Sequence, residues 1–286
     1  MIVTKPGVYD DMPNEVYHGD PVPAELGGSL SSSGARKLLP PNSPARFRYD
    51  QDNPPTSTDA YTFGHAAHRM VLGAGQEIVH VEANDWRTKA AQQQKKEALA
   101  AGQVPLLTHE LEVVTEMADA IRRHPVASLL FGSGKPEQSL FWVDEDTGVW
   151  RRARLDWLPE RSGSHGRLII PDYKTTKSAA PADIEKAIYD YGYHQQADWY
   201  LDGVRAVLGE TDPVFLFVFQ EKAPPYLVTV AQPDAMALRI GRHYNRLAIN
   251  TYRRCVADSS WPGYSDGVEL VGVPRWAEIR YLEEIA

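Results

Sequence analysis

Leu168-Ile169-Ile170-Pro171-Asp172-Tyr173-Lys174-Thr175-Thr176 is the stretch from which the fold is read. An apolar run ending in a Thr-rich tail predicts a buried strand that stops at a site. Side chains alternate along a strand, so Asp172 and Lys174 share one face and Tyr173 points to the other. A carboxylate beside an ammonium at the mouth of a sheet is either a surface ion pair or half of a site for a divalent metal and a phosphate. The rest of the chain has to supply the partners that separate these two readings.

The first partner lies upstream. Residues 139–143 and 149–158 read as two strands around a turn-rich acidic loop, and the second carries Arg152, Arg154 and Asp156 on one face. The loop 160–166 returns the chain to the central strand, so Asp156 and Asp172 converge on neighbouring strands. Downstream, a helical region starts at Pro181, is interrupted near Gly192, and resumes from about Tyr193 to Leu208. Its apolar stripe is Tyr193, Ala197, Tyr200, Leu201, Val204 and Leu208. Gln196 and Tyr200, four residues apart, are neighbours on the helix; they serve either the edge of the core or the site.

Working outward, the serines within 30–39 predict caps for a short helix that stops before Pro40-Pro41. With Arg36 and Lys37 beside them they either cap the helix or hold a phosphate. Residues 62–72 predict a helix with Ala66, Ala67, Met70 and Val71 on its apolar side and His65 and His68 among them. Residues 84–101 predict a helix capped by Asn84 or Asp85 and stopped by Gly102, and Thr108–Arg123 predicts another. Gly132-Ser133-Gly134-Lys135 resembles a phosphate-binding loop but fails, with Leu129 at the first glycine position and Pro136 in place of Ser/Thr. Residues 214–220 and 226–231 read as strands. Residues 234–255 form a long amphipathic helix with Met236, Ile240, Tyr244, Leu247 and Cys255 inward and Arg239, Arg242, Arg246 and Arg253 on another side.

With 286 residues, 43% hydrophobic and 24% charged, the chain has the size and make-up to bury a core as a globular protein. No apolar run reaches the ~18 residues of a membrane span, and the N-terminus lacks the apolar centre of a signal peptide, so a cytoplasmic location is expected. The single cysteine, Cys255, excludes an intrachain disulfide and any multi-cysteine metal site. A net charge of −8 argues against nucleic acid as a partner without excluding it. It leaves room for a local basic channel. The expected architecture is α/β: one domain with a central mixed β-sheet flanked by helices. Residues 1–60 would form an N-terminal arm and short helix of that same domain, and residues 61–286 the core with its C-terminal helix.

Asp156, Asp172-Tyr173-Lys174 and Tyr193-His194-Gln195-Gln196-Ala197-Asp198-Trp199-Tyr200, preceded by His68, resemble in order the motifs of the RecB-like branch of PD-(D/E)xK nucleases. Gly7-Val8-Tyr9, Phe63-Gly64-His65-Ala66-Ala67-His68, Gln220-Glu221-Lys222 and Trp261-Pro262-Gly263-Tyr264 make the chain similar to the nuclease part of RecE, exonuclease VIII, and its phage relatives. The first Asp follows Leu155 where the motif has Pro. The resemblance implies a restriction-endonuclease-like core. It also implies an exonuclease, 5′→3′ on linear double-stranded DNA, that leaves 3′ overhangs for a RecT-like single-strand annealing protein in a bacterial setting, phage- or prophage-encoded genes included. It suggests a ring-shaped homo-oligomer.

On this reading His68, Asp156, Asp172 and the Tyr173 carbonyl bind Mg²⁺, for which Mn²⁺ substitutes. Asp156, Asp172, Lys174, Gln196 and Tyr200 are the catalytic set. Lys174 orients or deprotonates the attacking water, while Gln196 and Tyr200 position the DNA backbone or Lys174. Ser31, Ser33 and Arg36 meet a terminal 5′-phosphate. The alternatives are a structure-specific or restriction-type endonuclease, and a catalytically silent DNA-binding relative.

Overall fold

The computed structural model describes residues 1–53, 59–160 and 166–286. The strands are β1 (Gly7–Tyr9), β2 (Ser29–Ser31), β3 (Ile78–Val81), β4 (Val104–Leu107), β5 (Gly134–Val143), β6 (Trp150–Pro159), β7 (Ile169–Thr176), β8 (Val214–Glu221) and β9 (Val228–Ala231). Helices α1 (Asn14–His18), α2 (Ser32–Lys37), α3 (Pro44–Asp52) and α4 (Asp59–Leu72) lie in the N-terminal part. Helices α5 (Lys89–Ala100), α6 (Thr108–Arg123) and α7 (Ala127–Leu130) precede the β5–β6 hairpin, and α8 (Pro181–Asp190) and α9 (Tyr193–Leu208) follow β7. Helices α10 (Ala235–Ala257) and α11 (Arg275–Ile285) end the chain.

The sheet is mixed and comes in two halves. One half runs β1-β5-β6-β2, with β5 antiparallel to β1 and β6, and β2 parallel to β6. The other runs β7-β8-β9, with β7 and β8 parallel and β9 antiparallel. β6 and β7 lie side by side where the halves meet, without a ladder joining them. β3 and β4 form a separate parallel pair.

Alternation along β7 and β8 sorts the core. Ile170, Phe215, Phe217 and Phe219 face one way, against Trp199 and Ala197 of α9 and Ala248 and Ile249 of α10. Tyr173 and Val218 face the other way, against Ala66 and Ala67 of α4 and Met117 and Ile121 of α6. Helices thus cover both faces of the half-sheet, and β7 is buried on both sides, as its apolar run requires. A third cluster packs Val3, Met12, Tyr17 and Val22 on Phe141 and Trp150. The N-terminal residues therefore contribute strands β1 and β2 and part of the core.

Several boundaries differ from expectation. The helix expected from residue 84 starts at Lys89, because Thr88 accepts a hydrogen bond from the Ala91 N–H and caps it. Asp85 instead accepts from the Arg87 N–H in the turn before it. The strand expected from Tyr226 starts at Val228, with Tyr226 in the left-handed region at φ 58°. Residues 161–165, part of the loop expected to return the chain to β7, lie outside the described residues.

The largest correction concerns α10. Of the inward stripe Met236, Ile240, Tyr244, Leu247 and Cys255, Met236 and Leu247 are exposed and Cys255 is buried. The buried face is Gly241, Asn245, Ala248, Ile249, Tyr252 and Cys255. A Cβ on Gly241 would stand 2.2 Å from the His194 carbonyl oxygen, so α10 touches the first turn of α9 backbone to backbone. Asn245 Nδ2 donates to the Gln195 carbonyl at 3.0 Å and to Asp198 at 3.1 Å. Arg242 and Arg246 pair with Asp198 and Asp144, which ties two of the four arginines expected on the other side to the fold itself. Close approach and hydrogen bonding, not large apolar side chains, set this interface. Among the described residues no helix is long and apolar enough to cross a membrane.

Candidate active site at the seam of the two half-sheets

β6 and β7 meet at Asp156. Its Oδ2 accepts the Tyr173 N–H at 2.8 Å, so a side-chain carboxylate takes the place a strand carbonyl would fill. On the next residue of β7, Lys174 Nζ stands 2.5 Å from Asp172 Oδ2, and Gln196 of α9 donates from Nε2 to Asp172 Oδ1 at 2.7 Å. The lysine ammonium lies over the rings of Tyr193, at 5.4 Å, and Phe217, at 5.9 Å. From the opposite layer, α4 brings His68 Nε2 to 3.0 Å from the Tyr173 carbonyl and 3.7 Å from Asp156 Oδ2. A carbonyl only accepts, so Nε2 carries the proton in this arrangement. The Tyr173 side chain anchors the strand from behind: its hydroxyl donates to Gln220 Oε1 at 2.6 Å, and Gln220 Nε2 donates to the Met117 carbonyl at 2.8 Å.

Burial sets the electrostatics. It pushes the Asp172 carboxyl up to about 6, with Asp156 adding to the rise and Lys174 opposing it. Asp156 is raised too, by burial against the pull of Lys174. Burial also works against the Lys174 charge, but Asp172 and Asp156 outweigh it and hold the ammonium above the usual lysine value. His68 falls to about 4, through burial first and Lys174 second, so its ring is neutral at pH 7. Tyr200, raised well above the ordinary tyrosine value by burial, remains a hydroxyl and is hydrogen-bonded to Gln196. Two buried carboxylates therefore share one lysine, an arrangement of the kind that clusters at functional sites.

A cavity of about 400 Å³ opens onto this seam. Asp156, His68, Gln196 and Tyr200 line it, and so do Ser31, Ser33 and Arg36 from β2 and α2. Asp172 and Lys174 sit behind the lining. Ser31 caps α2, accepting the Gly34 N–H at 3.1 Å, and its Oγ lies 3.2 Å from that of Ser33. Arg36 is exposed and makes no ion pair among the described residues. The structure thus brings every residue of the expected catalytic and phosphate-binding sets to one cavity or directly behind it. Gln196 contacts Asp172, whereas Lys174 and the DNA backbone were the contacts expected for it.

Glu137 is a site residue the sequence did not reveal. The β5–β6 register pairs Pro136 with Trp157 and Gln138 with Leu155, which sets Glu137 across from Asp156. It lines the same cavity, lies 3.8 Å from Arg154 Nη1 and holds φ 52°. Burial, with Asp156 second, raises its carboxyl to about 7. A strand begun at residue 139 stops short of it. Extending the hairpin register two pairs beyond Ser139 would have found it.

The donor chemistry suits a hard divalent cation: two carboxylates, a neutral imidazole and a backbone carbonyl. His68 Nε2 and the Tyr173 carbonyl, now 3.0 Å apart as donor and acceptor, would both face such a cation once the imidazole proton moves to Nδ1. Among the described residues no three acidic, imidazole or thiol groups close into a ready-made cluster. Two side chains and a carbonyl converge, and Asp172 is held aside by Lys174 and Gln196.

The model of the PDDEXK-like domain of unknown function (DUF3799) matches residues 31–273. The chain belongs to this PDDEXK-like family. The matched span runs from Ser31 through α10 and contains every site residue named above. The PDDEXK-like fold is also that of a solved Eubacterium rectale protein assigned as an exonuclease, with a TM-score of 0.63, 14% identity and 98% of each chain covered. At that identity the likeness is one of fold. No curated protein matches the chain.

Proposed function

We propose that this PDDEXK-like protein is a RecE-like, Mg²⁺-dependent exodeoxyribonuclease. It degrades linear double-stranded DNA 5′→3′ and leaves 3′ overhangs that a RecT-like annealing protein takes up, and it works as a homo-oligomer. The observation that carries the hydrolytic reading is the convergence of Asp156, Asp172 and Lys174 at the β6–β7 seam, with His68 facing them and Gln196 holding Asp172. The PDDEXK-like domain supports nuclease activity.

His68, Asp156, Asp172 and the Tyr173 carbonyl would hold the cation, which when bound lowers the pKa of a coordinated water and neutralises phosphate charge. The chain's own groups do the rest. Lys174 stays protonated beside the two carboxylates, so its part is to orient the water and offset the negative charge that builds on the phosphorane. Deprotonating the water is not its task while both acids face it. Gln196 fixes the Asp172 carboxylate through Oδ1. The rings of Tyr193 and Phe217 hold the lysine in a dry wall. Ser31, Ser33 and Arg36, across the cavity, receive a terminal 5′-phosphate.

The test is digestion of linear, 5′-end-labelled duplex beside a closed circular plasmid, with and without Mg²⁺, for the native chain and Lys174→Ala. Loss of linear DNA alone, only with metal and only with the native chain, is expected. Cutting of the circle would replace this reading with an endonuclease. No cutting of either, with DNA still retained, would replace it with a silent DNA-binding relative.

A further inference from the structure

The turn between α8 and α9 reads Tyr189-Asp190-Tyr191-Gly192-Tyr193, and its central part forms one rim of the catalytic cavity. Gly192 takes φ 67°, and any Cβ there would stand 2.6 Å from Arg36 Cδ. The turn therefore packs directly against the Arg36 side chain at the cavity mouth. Tyr193 is half-buried, its ring 5.3 Å from Phe217. Tyr191 rests on it, with ring centroids 5.6 Å apart at 35°, and is 60% exposed. A row of rings thus runs from the core, through Tyr193 beside Lys174, to a phenol in solvent. The end of α8, the start of α9 and Gly192 between them fix where Tyr191 stands.

A flat aromatic face at the mouth of a cavity, near a guanidinium that makes no ion pair among the described residues, matches the chemistry of a nucleotide, one π-face and one phosphate. A cavity of about 400 Å³ is of small-molecule size; it admits one nucleotide of a strand, not a stacked pair. We propose that Tyr191 is a substrate-binding residue that stacks on the base of an end nucleotide separated from its partner, with Arg36 on the adjoining phosphate. The site therefore takes a single strand peeled from the duplex end. This rests on the nuclease reading for its substrate, and Tyr191 touches the base, not the reacting atoms.

Stacking is tested without turnover by using Lys174→Ala protein and a duplex carrying 2-aminopurine at its 5′-terminal position. The expected result is a fluorescence change on binding that Tyr191→Phe keeps and Tyr191→Ala loses, with affinity for that end weakened roughly five- to a hundredfold. In the otherwise native chain with Mg²⁺, Tyr191→Ala should slow digestion of fully paired ends more than of ends whose last nucleotides are mismatched, because mismatched ends need no separation. An unchanged fluorescence response in Tyr191→Ala overturns the proposal, as does an equal loss of digestion on paired and mismatched ends. If the native chain cleaves nothing while Tyr191→Ala still abolishes the fluorescence change, the nuclease reading fails and the stacking proposal stands.

Discussion

Strand β6 carries buried charge at both ends, and the two ends are built on opposite terms. Near its start, the Arg151 guanidinium lies between Trp142, at 4.7 Å, and Trp199, at 4.1 Å, and contacts Asp202 and Asp144. Arg246 adds a second cation, 2.8 Å from Asp144. Burial works against the Asp144 charge, but the Arg246 and Thr147 hydrogen bonds outweigh it and hold the carboxyl below its usual value. Near the end of the strand, Asp156 and Asp172 share the single cation Lys174 and both are pushed up. The same strand and the same helix α9 frame both clusters. The difference is that one is closed by its own arginines, whereas the other sets two buried carboxyls against one lysine beside a cavity. The closed cluster is neutralised from within, whereas on the proposed reading the open one takes its missing cation from outside.

That contrast can be broken first at its closed end. Arg151→Ala empties the slot between Trp142 and Trp199 and removes the guanidinium that meets Asp144 and Asp202; it should cost about 3–5 kcal/mol, read by urea unfolding, while cleavage per folded molecule stays close to native. Asp172→Asn probes the open end. A carboxyl raised to about 6 binds its proton more tightly folded than unfolded. Its stabilising effect is thus present below about pH 4 and lost as pH rises through 6, for a total of about 3 kcal/mol. Without metal, native stability should therefore fall relative to Asp172→Asn between about pH 4 and pH 7 in thermal unfolding, although the variant cleaves no DNA. A difference flat with pH would show that Asp172 is not ionising against burial.

Gly241→Ala tests whether the two clusters share a mount. Its Cβ would press on the His194 carbonyl, and α9 carries both Gln196 and Asp202. A loss of about 1–3 kcal/mol is expected, together with lower cleavage by the remaining folded protein. Gln196→Ala is the finest probe. It strips one hydrogen bond from Asp172 and should lower cleavage about tenfold, a cost of about 1.4 kcal/mol, with little change in unfolding.

The strand-borne half of the site is legible in the sequence because period-two alternation and a short apolar run are local signals. Alternation alone puts Asp172 and Lys174 on one face and Asp156 on its neighbour, and Thr108–Arg123 and Tyr193–Leu208 carry enough periodicity to be bounded. What stays hidden depends on partners distant in sequence. β1 and β2 are three residues each and exist only because β5 and β6 offer edges to pair with. The face of α10 is misassigned from sequence because large apolar residues attract attention, whereas its contact with α9 is made by Gly241, Asn245 and Ala248. Glu137 escapes because nothing local marks a glutamate after a proline as lying inside a strand. The contact of Gln196 with Asp172 is invisible too, since helix spacing shows which face a residue occupies but not what stands opposite.

The carboxylate of Asp156 that accepts the Tyr173 N–H has a consequence for how such a protein can age. On the proposed reading it is at once a member of the reacting group and a rung of the sheet, so selection holds it by two independent threads. Lys174 is tied to Asp172, whose buried charge it balances. A descendant that gave up cleavage could lose Asp172 and the lysine together, yet would keep at position 156 an acid or its amide, because an oxygen there receives the strand's orphaned donor. A surviving oxygen at 156 beside a vanished lysine at 174 would then be the mark of a retired enzyme, and an acid at 156 alone would be poor proof of a working one.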